Sequence, residues 1–117
     1  DALNRAGKPL RGSHVVVLGV TYKPNVKDTR ETPARPLVGQ LFDLGAEVSF
    51  VDPYVESFAV GDREVRRICD IEEAVGSADI VVLLQPHDEF LTPDALATAD
   101  QVFDTTGHIF GMNVERL

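Results

Sequence analysis

Four short runs rich in β-branched residues recur along the chain: "HVVVLGV" (14–20), "EVSFVDPY" (47–54), "DIVVLLQ" (79–85) and "QVFDTTG" (101–107). The first has no helical alternation, as expected for a strand covered on both faces, and the third repeats that character. Helix-forming segments lie between the runs. In "TPARPLVGQLFDLGA", Leu37, Leu41, Phe42 and Leu44 fall at helical spacing, with Thr32 as N-cap, Pro33 at the first helical position, Pro36 in the first turn and Gly45 at the stop. "DIEEAVGSA" predicts a short helix capped by Asp70, with Glu72 and Glu73 favoured by the helix dipole, and "TPDALATA" predicts another capped by Thr92. "REVRRIC" alternates well enough for an edge strand. Strands and helices alternating at short spacing predict an α/β, Rossmann-like three-layer domain: a mainly parallel sheet with helices on both faces and right-handed crossovers.

The 117 residues make one domain by the usual size prior, burying roughly 60–70% of the unfolded surface. No apolar run approaches the ~20 residues of a membrane span, and no signal-peptide pattern opens the chain, so a soluble, cytoplasmic protein is expected. A net charge of -8 opposes non-specific nucleic-acid binding, and any anionic ligand needs a local basic cluster. The single cysteine, Cys69, cannot form an internal disulfide and suits a reducing compartment. The opening "DALNRAGKPLRG" reads as the tail of a preceding helix and a connector (1–12), leaving 13–117 as the domain, a piece of a longer protein.

In open α/β sheets, ligands bind outside the carboxyl ends of the strands. After the first strand comes "GVTYKPNVKDTRETPARP", which holds Lys23, Lys27, Arg30 and Arg35 of the eleven basic residues. It leads to a helix N-terminus that favours anions, and it exceeds the ~2–6 residues of an ordinary βα connection. A solvated loop whose cations merely answer Asp28 and Glu31 is the competing reading. Neither G-x-G-x-x-G nor G-x-x-x-x-G-K-[ST] occurs, so NAD is not expected to be held by this domain in the standard manner. Asp52 stands where a ribose-binding acid would, but its Asp-Pro context reads as a turn. His14, His87 and His108 lack metal spacing, so no metal site is expected. "PHDEF" is expected to be an exposed connection and Cys69 a buried structural thiol.

"LGVTYKPNVKDTRETPARPLVGQLFDLGAEVSFVDPYV" resembles the opening of the C-terminal, UDP-binding domain of the UDP-glucose/GDP-mannose dehydrogenase family. The matching pattern is Tyr22-Lys23, then Asp28-Thr29-Arg30-Glu31-Thr32-Pro33, Gly45-Ala46 and Asp52-Pro53, with "SADIVVLLQPHDEF" and "VFDTTG" similar to later strand ends. The resemblance implies an enzyme that oxidises the C6 alcohol of a UDP-sugar to a carboxylate with NAD through a cysteine-bound intermediate. It also implies an N-terminal NAD-binding domain carrying that cysteine and a central helix joining subunits in a homodimer or higher oligomer. Cys69 lies outside the family's catalytic motif, so no catalytic residue is expected here and the isolated domain is expected to be inactive. Tyr22 and Lys23 then face the UDP-sugar and Arg30 the NAD side. Where many members place a substrate-binding arginine, this chain has Thr106, which enters the substrate-binding set as a departure. The alternative is a stand-alone, non-catalytic nucleotide-binding module. A phospho-acceptor signalling domain would want paired acids after the first strand, and "GVTYK" has none.

Overall fold

The computed structural model describes residues 11–92, 94–99, 101–106 and 114–116; the segment 1–10, expected as helix tail and connector, and His108 lie outside them. The strands are β1 (His14–Leu18), β2 (Glu47–Val51), β3 (Ala59–Val60), β4 (Arg63–Glu64), β5 (Arg66–Arg67), β6 (Ile80–Leu83), β7 (Val102–Asp104) and β8 (Val114–Arg116). Among the described residues the helices are α1 (Ala34–Asp43) and α2 (Ile71–Ser77). Six strands form one sheet in the order β5-β2-β1-β6-β7-β8, all pairings parallel. This is the doubly wound order, and its direction reverses between β1 and β6. The crevice expected of such a sheet therefore opens beyond Leu18 and Leu83.

Alternation along β1 builds the three layers. Val15 and Val17 enter the core cluster with Val38 and Leu41 of α1, while Val16 and Leu18 enter the opposite cluster with Ala74 and Val75 of α2. One helix covers each face, as the spacing of the apolar runs predicts.

Both helix starts follow their sequence signals. Pro33 already has helical dihedrals, and Thr32 Oγ1 accepts the Ala34 N–H at 3.2 Å. Asp70 accepts the Glu72 N–H at 2.9 Å, with Glu72 and Glu73 in the first turn. The buried stripe of α1 is Ala34, Val38 and Leu41, whereas Leu44 is left exposed beyond the helix end.

Several elements differ from expectation. β1 closes at Leu18 rather than residue 20, because Gly19 turns to φ 88° and the Val20 N–H leaves the ladder for the Asp52 carboxylate. In "TPDALATA", residues 94–98 form successive turns instead of the helix expected after a Thr92 cap, with Ala95, Ala97 and Ala99 each donating three residues back. So short a segment gains too few helical bonds to offset nucleation, and the 3-10 turn Asp88–Phe90 takes up part of the same connection. β8 extends the sheet past β7, and β3 and β4 form a separate antiparallel pair; both are too short to show a period. "REVRRIC" does supply the edge, through β5.

Candidate functional site

At the carboxyl edge, the backbone pairing of β1 and β2 ends with the Gly19 N–H on the Val51 carbonyl. The next residue of β2's run, Asp52, continues the pairing with its side chain. Its Oδ2 accepts the Val20 N–H at 2.8 Å and His87 Nε2–H at 2.9 Å, and its Oδ1 accepts the Tyr54 N–H at 2.9 Å. Asp52 therefore initiates the Asp-Pro turn as its context suggests, and also fastens two further segments.

His87 is fully buried, contrary to the exposed connection expected for "PHDEF". Its Nδ1 accepts the backbone N–H of Asn25 at 2.7 Å. A ring that accepts at Nδ1 and donates at Nε2 is a neutral imidazole in one defined tautomer. Tyr54 packs against it edge to face and Phe90 at a tilt, with ring centroids at 4.8 and 5.4 Å. Partial burial, then the Glu89 carboxylate beside it, raise the Tyr54 phenol above its usual pKa.

The basic loop is folded upon itself over this platform. The Tyr22 N–H donates to the Asp28 carbonyl at 2.7 Å, and Gln85 Nε2 donates to the Tyr22 carbonyl at 3.1 Å. Thr21 Oγ1 donates to the Lys23 carbonyl and Thr32 Oγ1 to the Thr21 carbonyl. Tyr22 is left 46% exposed, with the Lys23 ammonium 5.5 Å from its ring centroid. Tyr22, Asp28, Arg30 and Glu31 line an open groove of about 330 Å³.

The four cations of this segment have different surroundings. Arg30 grips Asp28 through Nε (3.1 Å) and Nη2 (2.9 Å). Arg35 donates to the Thr29 carbonyl and lies over the Phe58 ring, so it supports the loop from below. Lys23 and Lys27 are exposed. Thr106 stands on the same edge beyond β7, where its N–H and Oγ1 both donate to Asp104 Oδ1 at 2.7 and 2.6 Å. The fold thus gathers Tyr22, Lys23 and Arg30 on one loop, while Thr106 stands two strands away and does not line the groove.

The Arg30 fork holds the Asp28 carboxyl at a pKa of about 2, below its ordinary 3.8. A depressed carboxylate pKa stabilises the folded loop above the unfolded value and ceases to do so as pH falls through the folded one. A carbon-detected titration should therefore place the Asp28 midpoint near 2, with the Arg30–Asp28 ion pair dissolving between about pH 4 and 2. Arg30→Ala should return the midpoint towards 3.8; an unmoved midpoint would refute this cause. Both groups are solvent-facing, so added salt should weaken the effect.

Cys69 is exposed rather than buried, with Arg67 Nη1 at 3.5 Å from its sulfur. The strand before it, β5, ends at Arg67, so Cys69 lies outside the sheet, next to the Asp70 cap of α2. Among the described residues no group of three or more His, Cys, Asp or Glu could hold a metal ion, and no helix is long and apolar enough to cross a membrane.

Sequence reasoning passes over Asn25 and Gln85 and places His87 in an exposed connection. The available signals are an Asp at one strand end and a His just past another, facing each other across the sheet's carboxyl edge.

A family model describing the UDP binding domain of the UDP-glucose/GDP-mannose dehydrogenase family matches residues 16–111. The chain belongs to this family. The match begins inside β1 and takes in the basic loop, Asp52, His87 and Thr106. The UDP-N-acetyl-D-mannosamine dehydrogenase of Methanocaldococcus jannaschii is 45% identical over 76 residues, which are 65% of this chain and 16% of that protein. The UDP-glucose 6-dehydrogenase of Rhizobium meliloti is 36% identical over 96 residues, covering 76% and 21%. The solved UDP-D-ManNAc dehydrogenase of Pyrococcus horikoshii superposes with a TM-score of 0.77 at 26% identity, covering 98% of this chain and 28% of that one. The chain thus spans about a fifth of the length of these curated relatives, and its Rossmann-like fold is shared with the dehydrogenase structures of the family.

Proposed function

We propose that this chain is the substrate-binding domain of an NAD-dependent nucleotide-sugar 6-dehydrogenase, an enzyme that oxidises the C6 alcohol of a UDP-sugar to a carboxylate. The observation that carries the reading is the folded basic loop at the crevice of a chain matching the family's UDP binding domain. Tyr22 offers a flat, half-exposed ring for contact with the UDP-sugar. Lys23 supplies a mobile point charge for the diphosphate. Thr106, beyond the end of β7 two strands from the loop, stands on the same carboxyl edge, where many members carry a substrate-binding arginine. Arg30 keeps Nη1 clear of hydrogen bonds to the described residues and meets the NAD side of the cleft through it.

NAD supplies the hydride acceptor when bound. The residues present here do not fit its usual cradle, which needs a tight glycine turn open to the pyrophosphate. β1 is followed instead by a long loop closed by the Tyr22–Asp28 bond, and the Asp52 carboxylate is buried on Val20, Tyr54 and His87. The cofactor and the covalent chemistry accordingly belong to an N-terminal domain, and the assembled enzyme is a soluble, cytoplasmic homodimer or higher oligomer.

Steady-state kinetics on the full-length enzyme tests the assignment. Lys23→Ala should raise the KM for UDP-sugar roughly 10- to 100-fold, the worth of a well-placed charge-assisted hydrogen bond. Arg30→Ala should act on the NAD requirement or turnover, and Lys27→Ala should stay within about threefold. Equal losses in all three would replace the site with a diffuse basic patch, and no loss at Lys23 or Arg30 would reduce the loop to a connector.

A further inference from the structure

Residues 22–27 are all exposed, yet the backbone at their centre is tied to the core. Asn25 has φ 61°, a left-handed conformation that costs a non-glycine residue of the order of 1 kcal/mol. Its backbone N–H points at His87 Nδ1. Its side chain brackets the turn after β6: Oδ1 accepts the Asp88 N–H at 3.0 Å and Nδ2 donates to Asp88 Oδ1 at 3.3 Å. The Tyr54 hydroxyl lies 3.3 Å from the same Oδ1. An exposed residue in a disfavoured conformation persists only where its surroundings over-determine it.

From these contacts we propose that Asn25 and His87 are positioning residues for the UDP site. The buried Asp52 carboxylate selects the Nε2–H tautomer of His87. That tautomer presents a lone pair at Nδ1, which captures the Asn25 amide and holds the loop in its left-handed turn. The turn in turn sets the direction of Tyr22 and Lys23, three and two residues earlier. Neither Asn25 nor His87 needs to touch the ligand; they remove the conformational freedom that an open loop would otherwise surrender on binding. The proposal rests on the reading of this loop as the UDP-sugar grip, and it specifies how that grip is held in shape.

Two substitutions at Asn25 separate positioning from simple stability. Asn25→Gly keeps the amide and suits the positive φ, whereas Asn25→Pro deletes the amide and forbids that φ. On the ligand-free, isotope-labelled chain, His87 should show a protonated Nε2 and an accepting Nδ1. Asn25→Gly should preserve that pattern and leave Tyr22 amide exchange within about threefold, while Asn25→Pro should accelerate Tyr22 exchange at least about tenfold. UDP affinity, measured by calorimetry, should follow the same order rather than the order of melting temperatures. Should Asn25→Pro fail to fold, Asn25→Val takes its place, since it retains the amide but strongly disfavours the left-handed turn. Unchanged Tyr22 exchange in the disrupting variant, or equal disturbance by glycine, would overturn the proposal. Failure of the unmodified chain and the full-length enzyme to bind UDP would overturn the assigned function instead, and the exchange comparison would still decide whether Asn25 and His87 hold the loop.

Discussion

Asp52→Ala should lower the thermal midpoint of this domain by about 10–25 °C, the equivalent of roughly 3–5 kcal/mol for removing a buried carboxylate that serves several donors at about 1–3 kcal/mol each. The substitution removes the acceptor of three donors at once: the Val20 and Tyr54 amides and His87 Nε2–H, which is left with the Thr21 hydroxyl at 3.4 Å. His87 and Asp52 have essentially no solvent exposure, so water cannot enter as a substitute without opening the core. Asp52→Asn should not rescue it fully. Both carboxylate oxygens act as acceptors, and an amide has only one oxygen, so at least one N–H must face another N–H. Switching His87 to its other tautomer would merely transfer the clash to the Asn25 amide. Differential scanning calorimetry decides the matter, and a midpoint within about 3 °C of the unmodified protein for Asp52→Ala would contradict it.

Gly19→Ala should cost a further large amount, about 3–5 kcal/mol, the sum of left-handed strain and overpacking. A methyl group at this position would stand 2.6 Å from Gln85 Cβ and 2.9 Å from the Gln85 carbonyl oxygen. Neither neighbour can retreat cheaply. The Gln85 N–H shares the Leu18 carbonyl with that of Leu84, and its side chain holds the Tyr22 carbonyl. Gly12 provides the control, because it has a similar φ of 80° but nothing among the described residues within 4 Å of an added methyl. Gly12→Ala should therefore lose only the strain, about 1–2 kcal/mol. In urea, the midpoint for Gly19→Ala should fall by at least about 1 M relative to Gly12→Ala. Equal midpoints would show that close approach to Gln85 contributes nothing.

Both predictions concern contacts made where the order of the sheet reverses. The close approach of Gly19 to Gln85 brings the ends of β1 and β6 together, and Asp52 closes the end of β2 against them. The basic loop rests on this junction. Its exposed functional face is therefore only as well ordered as the buried polar platform beneath it, which connects the stability measurements to the proposed grip on a nucleotide sugar.

The alternation of apolar runs with helical segments was sufficient to establish the layer order, because strand and helix periods are written in neighbouring residues. Thr32 and Asp70 could be recognised as caps for the same reason: each serves an amide two residues away. The ordered motif from Tyr22 to Pro33 pointed to the family, and the missing glycine fingerprint pointed away from a standard NAD cradle. The pairing of the cations was less legible. Arg30 and Lys23 look equivalent in a string of letters, yet one is forked onto Asp28 and the other extends beside a tyrosine ring. His87 was read as exposed because it falls in a strand-to-helix connection, and only the tertiary structure brings it to Asp52, 35 residues away, and to Asn25, 62 residues away. Cys69 was misread in the opposite sense, since a two-residue edge strand has too little length to reveal which way its end faces. Local sterics and periodicity thus determine the elements and their order; the buried polar junction arises only when parallel pairing aligns the ends of β1, β2 and β6, because its bonds join residues that have no proximity until the sheet exists.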